Sequence, residues 1–443
     1  MLKVELLAKT SAISLALALG LSVAAPAQLA RAADLGGDCC SDLEERVATL
    51  ESTTVKTGNR KISMKISGWV NAGVVWWSDG FKSHDERDPA LFDSNTNLYV
   101  VNNRTSQTRV NITGEGKIRD GLTAGYSMSI RPWGDKLDSV SQIDHNPNRD
   151  SISVRDTYVF LDSKSFGKLQ LGLQDSAADG AWYQDLGGSS TWISNMNPGG
   201  WNGSFYLRDD AGHLANVTWG DLNQELSDGQ VPRLAYFSRE VAGFQLAASV
   251  GGDDTHAVAV YYSGSHDSWN LKAGIGYDVS HRSDAIDSQS VGTGLTDATH
   301  ANLQKLAMSG SLYESRSGLY GTLGWLRAYS AIDGRGPATN WYGKAGWRRN
   351  VSGMGETNLY GEYDRRIDVL ANNTQAHVWG AGVVQDIDAI GSSMYLGYRH
   401  SELDTALTGG SLVLTPGQIV ADAAGLVPKQ HFDAVLAGMV LQF

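Results

Sequence analysis

The chain has 443 residues, among them 51 glycines, 9 prolines, 13 tryptophans and 17 tyrosines, and carries a formal net charge of −12. Such acidity argues against a nucleic-acid binder. Past the N-terminal region no run of roughly 18 apolar residues occurs, which excludes a helical membrane protein but not a barrel, whose strands need only about 9–11 residues each. The N-terminus itself reads as an export signal. Lys3 and Lys9 precede an apolar run from Ala12 to Ala25, and Ala30-Arg31-Ala32 supplies an A-x-A site, so 1–32 is a signal peptide cleaved before Ala33, with Glu5 the one dissenting residue. Export removes three basic residues and one acidic one and takes the formal charge to −14.

Residues 33–59 form a periplasmic N-terminal segment. Cys39 and Cys40 are adjacent, lack metal-site or redox spacing, and follow Asp38, which does not suit a lipobox. Ser41 and Glu44 have capping-box spacing, and Leu43, Val47, Leu50 and Thr54 follow a heptad seam. The short helix this predicts either self-associates, the preferred reading, or packs under the main domain.

At Arg60 the period changes to two. In RKISMKISGWVNAGVVWW the even positions from Ile62 to Trp76 are almost wholly apolar and the odd ones mixed. Similar segments follow to the end of the chain. Their lipid-side sets include Val110, Ile112 and Ile118; Leu122, Tyr126 and Ile130; Ile152, Val154, Tyr158 and Phe160; Leu169, Leu171 and Leu173; Val378 and Val384; and Val435, Met439, Leu441 and Phe443. Repeated dyad alternation is the strand signature of a membrane barrel. Trp76, Trp77, Trp133, Trp269, Trp325, Trp341 and Trp347 lie mainly near strand ends and read as an interfacial girdle.

The gaps alternate. Long ones fall near 78–105, 132–151, 175–232, 280–304 and 403–430, and short ones at 119–121, 163–167, 240–243, 264–268, 314–318, 350–356 and 387–391. Three connections on the long side are nonetheless short, at 251–255, 330–339 and 367–374. Counting every alternating segment gives 17, which breaks this order. Assigning 214–219 to one long third loop, 175–232, restores it and leaves 16 strands, an even number as single-chain bacterial barrels have. The expected fold is therefore all-β: a 16-stranded antiparallel transmembrane β-barrel over 60–443, with a long third loop folded into the lumen.

DLEERVATLE at Asp42–Glu51, GNRKISMKISGWVN at Gly58–Asn71, FGKLQLGLQDSAAD at Phe166–Asp179 and the terminal Phe443 resemble alphaproteobacterial outer-membrane porins, and the pattern extends over essentially the whole mature chain. The resemblance implies a homotrimer of water-filled barrels, set among outer-membrane lipid and lipopolysaccharide, that passes small hydrophilic solutes and ions without energy input. A terminal aromatic residue resembles the signal read by the barrel-assembly machinery.

With the strand phases above, Lys65, Arg109, Lys117, Arg155, Arg233, Arg239, Lys344, Arg348 and Arg399 point inward. In general porins a basic wall faces acidic residues of the third loop. The resemblance assigns Arg109 and Arg155 to that wall and Asp175, Asp179 and Asp185 to the loop side of a constriction. Lys65, Lys117, Arg233 and Arg348 are then further lumen charges. The loop also carries Trp182, Tyr183, Trp192, Trp201, Phe205 and Tyr206, which either stack on sugar rings, as in a sugar-selective channel, or, the preferred reading, pin the loop to the wall. A barrel enzyme or an adhesin is the rival from another class. No G-x-S-x-G or H-E-x-x-H motif occurs, and the loop groups His84-Asp85-Glu86 and Asp253-Asp254-Thr255-His256 read as solvated charges. No cofactor or metal is expected, acidic loops offering Ca²⁺ only unspaced carboxylates.

Overall fold

The computed structural model describes residues 61–81, 95–132, 137, 139–144 and 152–443, the last with breaks at 195, 197, 209–211, 213, 224, 228, 253–254, 281–302, 331–335, 370–371, 406–411, 416–417 and 421–428. The signal peptide, the N-terminal helix with Cys39 and Cys40, Trp133 and His84-Asp85-Glu86 lie outside the described residues.

Strands β1 (Lys65–Ser78), β2 (Thr96–Asn102), β3 (Arg109–Arg119), β4 (Leu122–Arg131), β5 (Ser153–Ser163) and β6 (Gly167–Gln174) build the first part of the wall. A short ribbon, β7 (Tyr206–Arg208) with β8 (Leu214–Thr218), interrupts them and pairs only with itself. The wall resumes with β9 (Val231–Phe237), β10 (Phe244–Gly251), β11 (His256–His266), β12 (Trp269–Ser280), β13 (Leu303–Glu314) and β14 (Leu319–Ser330). It continues through β15 (Ala338–Arg349), β16 (Thr357–Ile367), β17 (Thr374–Ile387) and β18 (Ser392–Thr405). A second ribbon, β19 (Leu412–Thr415) with β20 (Gln418–Val420), precedes the last strand, β21 (Lys429–Gln442).

Every wall pairing is antiparallel, and β21 pairs with both β18 and β1, so the sheet closes. At the seam the Phe443 N–H donates to the Gly68 carbonyl at 3.0 Å and the Gly68 N–H to the Phe443 carbonyl at 2.9 Å. The wall contains 17 strand segments in 16 positions, because β2 and β3 stack end to end along one side of β1. Ala72 pairs with Asn102 and Trp69 with Arg109, so three steps along β1 correspond to seven on the other side. The excess leaves the ladder at 103–108. It is held there by Trp69 Nε1 and Asn71 Nδ2, which donate to the Ser106 carbonyl at 3.3 and 2.7 Å. The expected long gap at 78–105 thus hid one short strand, β2, while the barrel count of 16 stands. Segment 214–219 is a strand outside the wall.

Alternation sorts the two faces. Val70, Val100, Leu171, Leu246, Val258, Leu323 and Leu359 are among many exposed apolar side chains on the outside. A continuous apolar belt of this kind is not left in water. A bilayer covers it, and the closed ladder leaves no edge carbonyl or amide facing lipid.

Three expectations about phase are corrected. In β5, Ser129 of β4 pairs with Asp156 while its neighbour Ile130 pairs with Val154, a β-bulge. A bulge adds one residue and reverses the alternation beyond it. Val159 and Leu161 therefore lie outside, and Tyr158 and Phe160 face the lumen rather than lipid; a Cβ at the inward Gly125 would sit 2.4 Å from the Phe160 ring. In β17, Val378 and Val384 are buried on the inner side and Trp379 is outside. Trp77 is fully buried, not part of a girdle, and stacks on Phe432 at 5.9 Å and tilts against Phe205 at 4.7 Å.

Candidate constriction site

Residues 175–230 connect β6 to β9, and their partners come from most of the barrel's circumference. The Ala177 N–H donates to Ser249 Oγ of β10 (3.0 Å), and Tyr261 Oη of β11 to the Ala177 carbonyl (2.7 Å). Ser309 Oγ of β13 donates to the Ala181 carbonyl (2.8 Å), and Arg348 Nη1 of β15 to the Leu186 carbonyl (2.7 Å). Ser194 Oγ donates to Glu362 of β16 (2.6 Å), and Asn202 Nδ2 to Ser401 of β18 (3.3 Å). Such widely spaced strands share only the interior of a closed barrel, so the segment lies against the inner wall.

Side-chain size explains where it can lie. Many of the inward positions of β9–β14 are small: Ala235, Ala247, Ala257, Ala259, Gly274, Gly276, Ala307 and Gly324. A Cβ on Gly276 would stand 2.8 Å from Ala181 Cβ, so only glycine admits the backbone there. The aromatics of the segment complete the fit. Trp182, Trp192, Trp201 and Phe205 are buried, Trp201 under the Arg399 guanidinium at 4.5 Å and Phe205 between Trp77 and Phe432. Pairs of this kind add about 0.5–1.5 kcal/mol each beyond area burial.

Buried charges fasten the same wall. Lys344 Nζ lies 2.7 Å from Asp185 and also donates to the Ser194 carbonyl at 3.1 Å; the side chains are 1% and 4% exposed. Glu362 binds Arg399 Nε at 2.6 Å and accepts from Tyr342 Oη at 2.8 Å. Arg366, paired with Asp364, donates to the Leu222 carbonyl at 2.8 Å. Arg208 and Asp79 pair at 2.6 Å, both buried. Leaving one partner of such a pair alone costs about 3–5 kcal/mol.

The inner face of β3–β5 is less covered, and there the cations gather. Arg109 on β3, Arg131 on β4, Arg155 on β5 and Arg104 in the 103–108 excursion lie within electrostatic range of one another. Arg104 packs near Gly200 of the long segment, and Arg109 lies over the Trp69 ring at 5.0 Å. The bulge in β5 turns both Arg155 and Asp156 inward: Arg155 Nη1 meets Asp156 at 2.8 Å and its Nη2 meets Asp175 Oδ2 at 2.7 Å. Gln230 holds the other Asp175 oxygen. Asp175 and Glu225 both lie within electrostatic range of Asp179. Burial pushes the Asp179 carboxyl well above the usual range, and Asp175 and Glu225 push it the same way.

Of the residues singled out in the sequence, Arg109, Arg155, Asp175 and Asp179 come together. Asp185 does not: it is committed to Lys344 on the opposite wall. Burial would raise its carboxyl, but Lys344 beside it brings it below the ordinary value. Arg348 is tied to the Leu186 carbonyl and to Glu356 at 3.0 Å, and the buried Arg233 to the Gly229 carbonyl at 3.2 Å. Lys117 pairs with Asp120 beside the 120–121 turn, and Lys65 is exposed at the start of β1. The sequence reading omitted Arg104, Arg131, Asp156 and Glu225. Alternation carried one residue past Ile130 finds Arg131; nothing local marks Arg104 or Glu225. Among the described residues no group of His, Cys, Asp and Glu is arranged to hold a metal ion.

Sixteen strand positions, a lipid-facing belt and a charged interior crossed by one long segment define an outer-membrane channel. Residues 14–406 match the Gram-negative porin family, and the chain belongs to it: a multi-pass barrel of the outer membrane through which small solutes diffuse. That family and fold are those of channels rather than enzymes. Among solved structures the chain is similar to an anion-selective porin from Comamonas acidovorans, at 16% identity over 86% of this chain and 100% of that one, with a TM-score of 0.52. It is also similar to OmpT of Vibrio cholerae, as a loop L8 deletion mutant (12% identity, 86% and 100% covered, TM-score 0.52) and in an in-vitro folded trimer form (11%, 86% and 99%, TM-score 0.50). At such identities the likeness is one of fold. No curated protein matches the chain.

Proposed function

We propose that the channel is a general diffusion porin of the alphaproteobacterial type, narrowed by the long segment where Arg104, Arg109, Arg131 and Arg155 of the wall meet Asp175, Asp179 and Glu225 of the segment. The observation that carries this reading is the Arg155–Asp175 contact at 2.7 Å, which joins the β5 bulge to the start of the long segment. Arginines gathered on the wall beside carboxylates gathered on the segment give the adjoining permeation path an uneven field. Such a field orients dipolar solutes and sorts ions. The burial of Trp182, Trp192, Trp201 and Phe205 favours passive diffusion over sugar stacking, because their faces are occupied by protein.

The same reading includes a homotrimer, supported by the trimeric form of a fold relative. Its apolar belt would meet neighbouring subunits, lipid and lipopolysaccharide. Residues 1–32 serve as the signal peptide, 33–59 as a periplasmic segment and 175–232 as the constriction loop, and Phe443 as the assembly signal. The test is the reversal potential of the purified channel in a planar bilayer under a salt gradient. Arg109→Ala with Arg155→Ala shifts the preference toward cations by tens of percent or more; an unchanged reversal potential removes these arginines from the narrowest point.

A further inference from the structure

Between β2 and β3 the chain leaves the wall and returns to it. Pairing moves from Ala72–Asn102 to Trp69–Arg109, seven steps against three, an excess of four residues over a straight ladder. An even excess keeps the alternation in phase, unlike the single-residue bulge of β5. Val101 before the excursion and Arg109 after it both face the lumen. Thr108 closes the neck. Its Oγ1 accepts from the Asn71 N–H at 3.0 Å and donates to the Asn71 carbonyl at 3.3 Å, standing in for the ladder partner Asn71 lacks on that side. The Thr108 N–H donates to Asn102 Oδ1 at 2.9 Å.

The excursion points into the lumen and meets the long segment there. Asn103 Nδ2 donates to the Trp192 carbonyl at 2.6 Å, and Trp69 stands edge-on to the Trp192 ring at 6.1 Å. Gln107 accepts from Arg131 Nη1 of β4 at 3.1 Å. Asn102, Asn103 and Gln107 are buried although polar. Burying such groups is costly unless they are hydrogen-bonded, and a straight strand would avoid the burial altogether. A closed, bonded neck and a bonded tip thus mark a built feature of the wall.

We propose that residues 103–108 are a second constriction element, borne by the wall, that clasps the long segment at Trp192 and sets the size limit of the pore together with it. This rests on the channel reading and adds that a strand insertion shares the narrowing with the long segment. The excursion stands beside Arg109 and Arg131, on the side the long segment covers least, so it takes cross-section from the open part of the lumen. Permeation then depends on the bulk at 103–108 as well as on the charges around it.

Deleting Arg104–Gln107 removes the excess of four and brings Asn103 and Thr108 into register with Asn71 and Val70. Asn102→Val in the same variant gives the repaired strand an apolar outer residue. Neutral sugars report size without charge. In proteoliposomes the deletion variant should admit a neutral trisaccharide several-fold faster than the wild type, and in planar bilayers its conductance should rise by about 1.5-fold or more. Arg104→Gly with Ser106→Gly keeps the chain length and the neck, and should give a smaller rise of the same sign. Asn103→Ala cuts the bond to Trp192 and should raise open-channel noise. A folded deletion variant with wild-type conductance and sugar limit overturns the second constriction. Should the deletion variant not assemble, the same unchanged values in the Arg104→Gly, Ser106→Gly variant overturn it, and wild-type noise in Asn103→Ala overturns the clasp. A wild-type protein that gives no conductance steps would instead count against the channel reading.

Discussion

Two aspartates in one loop, six residues apart, have opposite fates. Asp185 meets Lys344, and the pair keeps its carboxyl ionised below the usual range. A carboxyl with a depressed folded-state pKa contributes stability above its unfolded value, roughly 3.9, and loses it only as pH falls through the folded value. This fastening therefore holds through mild acid. Asp179 is pushed the other way and takes up a proton above the ordinary carboxylate range. Lowering the pH then removes a negative charge from the acidic side while the arginines stay charged. We predict that cation permeability relative to anion permeability falls with acidification, starting at a higher pH than an ordinary carboxylate would give. Asp179→Asn should flatten the upper part of this profile in reversal-potential measurements; a variant that titrates like the wild type would assign the change to another group. Neither fate is visible locally, since both residues are aspartates in a Gly- and aromatic-rich loop, and the difference lies in Lys344 on β15.

At the scale of elements, alternation was a sound guide wherever a strand is regular. Val435, Met439 and Leu441 on β21, or Leu359 and Tyr363 on β16, face outward as the period-two pattern requires. It failed at β5, where one bulge between Val154 and Asp156 reverses every later residue. Period two has no tolerance for a single insertion. It failed at β17 because an inner wall covered by a buried loop is itself apolar, so Val378 and Val384 mimic a lipid face. It also passed over β2, which pairs with β1 but continues into β3 only after an excursion. The floor of small residues under the long segment yields a further prediction. Gly276→Leu forces a branched side chain against Ala181 and Leu226, overpacking of a kind that costs about 1–3 kcal/mol. We expect a lower thermal unfolding temperature and altered, noisier single-channel conductance as the segment lifts from β12. A variant with wild-type conductance and noise would show that the segment does not depend on this contact.

For the whole molecule, closure is the decisive event. The last residue forms a reciprocal backbone pair with Gly68, and β21 joins β1 from Trp69 to Ser78. Phe443 thus sits in the seam and, in the proposed reading, also serves as a recognition signal. Deleting it separates the two roles. We predict outer-membrane levels several-fold lower in cells, with refolding from urea into detergent largely retained, because one pair out of a long ladder is a small loss. If refolding in detergent fails as badly as assembly in cells, the defect lies in the seam alone.

Sequence by itself determined the class of architecture: period-two segments of barrel length, alternating connection lengths and an even strand count restrict the chain to a closed antiparallel wall. Those are local or additive properties, readable one segment at a time. Alternation also told that Arg109 and Arg155 take the inner side of the wall, whereas Asp175 and Asp179 were singled out only through the family resemblance. Tertiary structure alone decided which charges meet. The bulge that turns Arg155 and Asp156 inward together, the excursion that brings Arg104 to the arginine wall, and the choice of Lys344 by Asp185 all depend on how a long segment packs against a distant surface. Contacts between residues more than a hundred positions apart are set by the shape and size of the inner wall, and no periodicity along the chain encodes them.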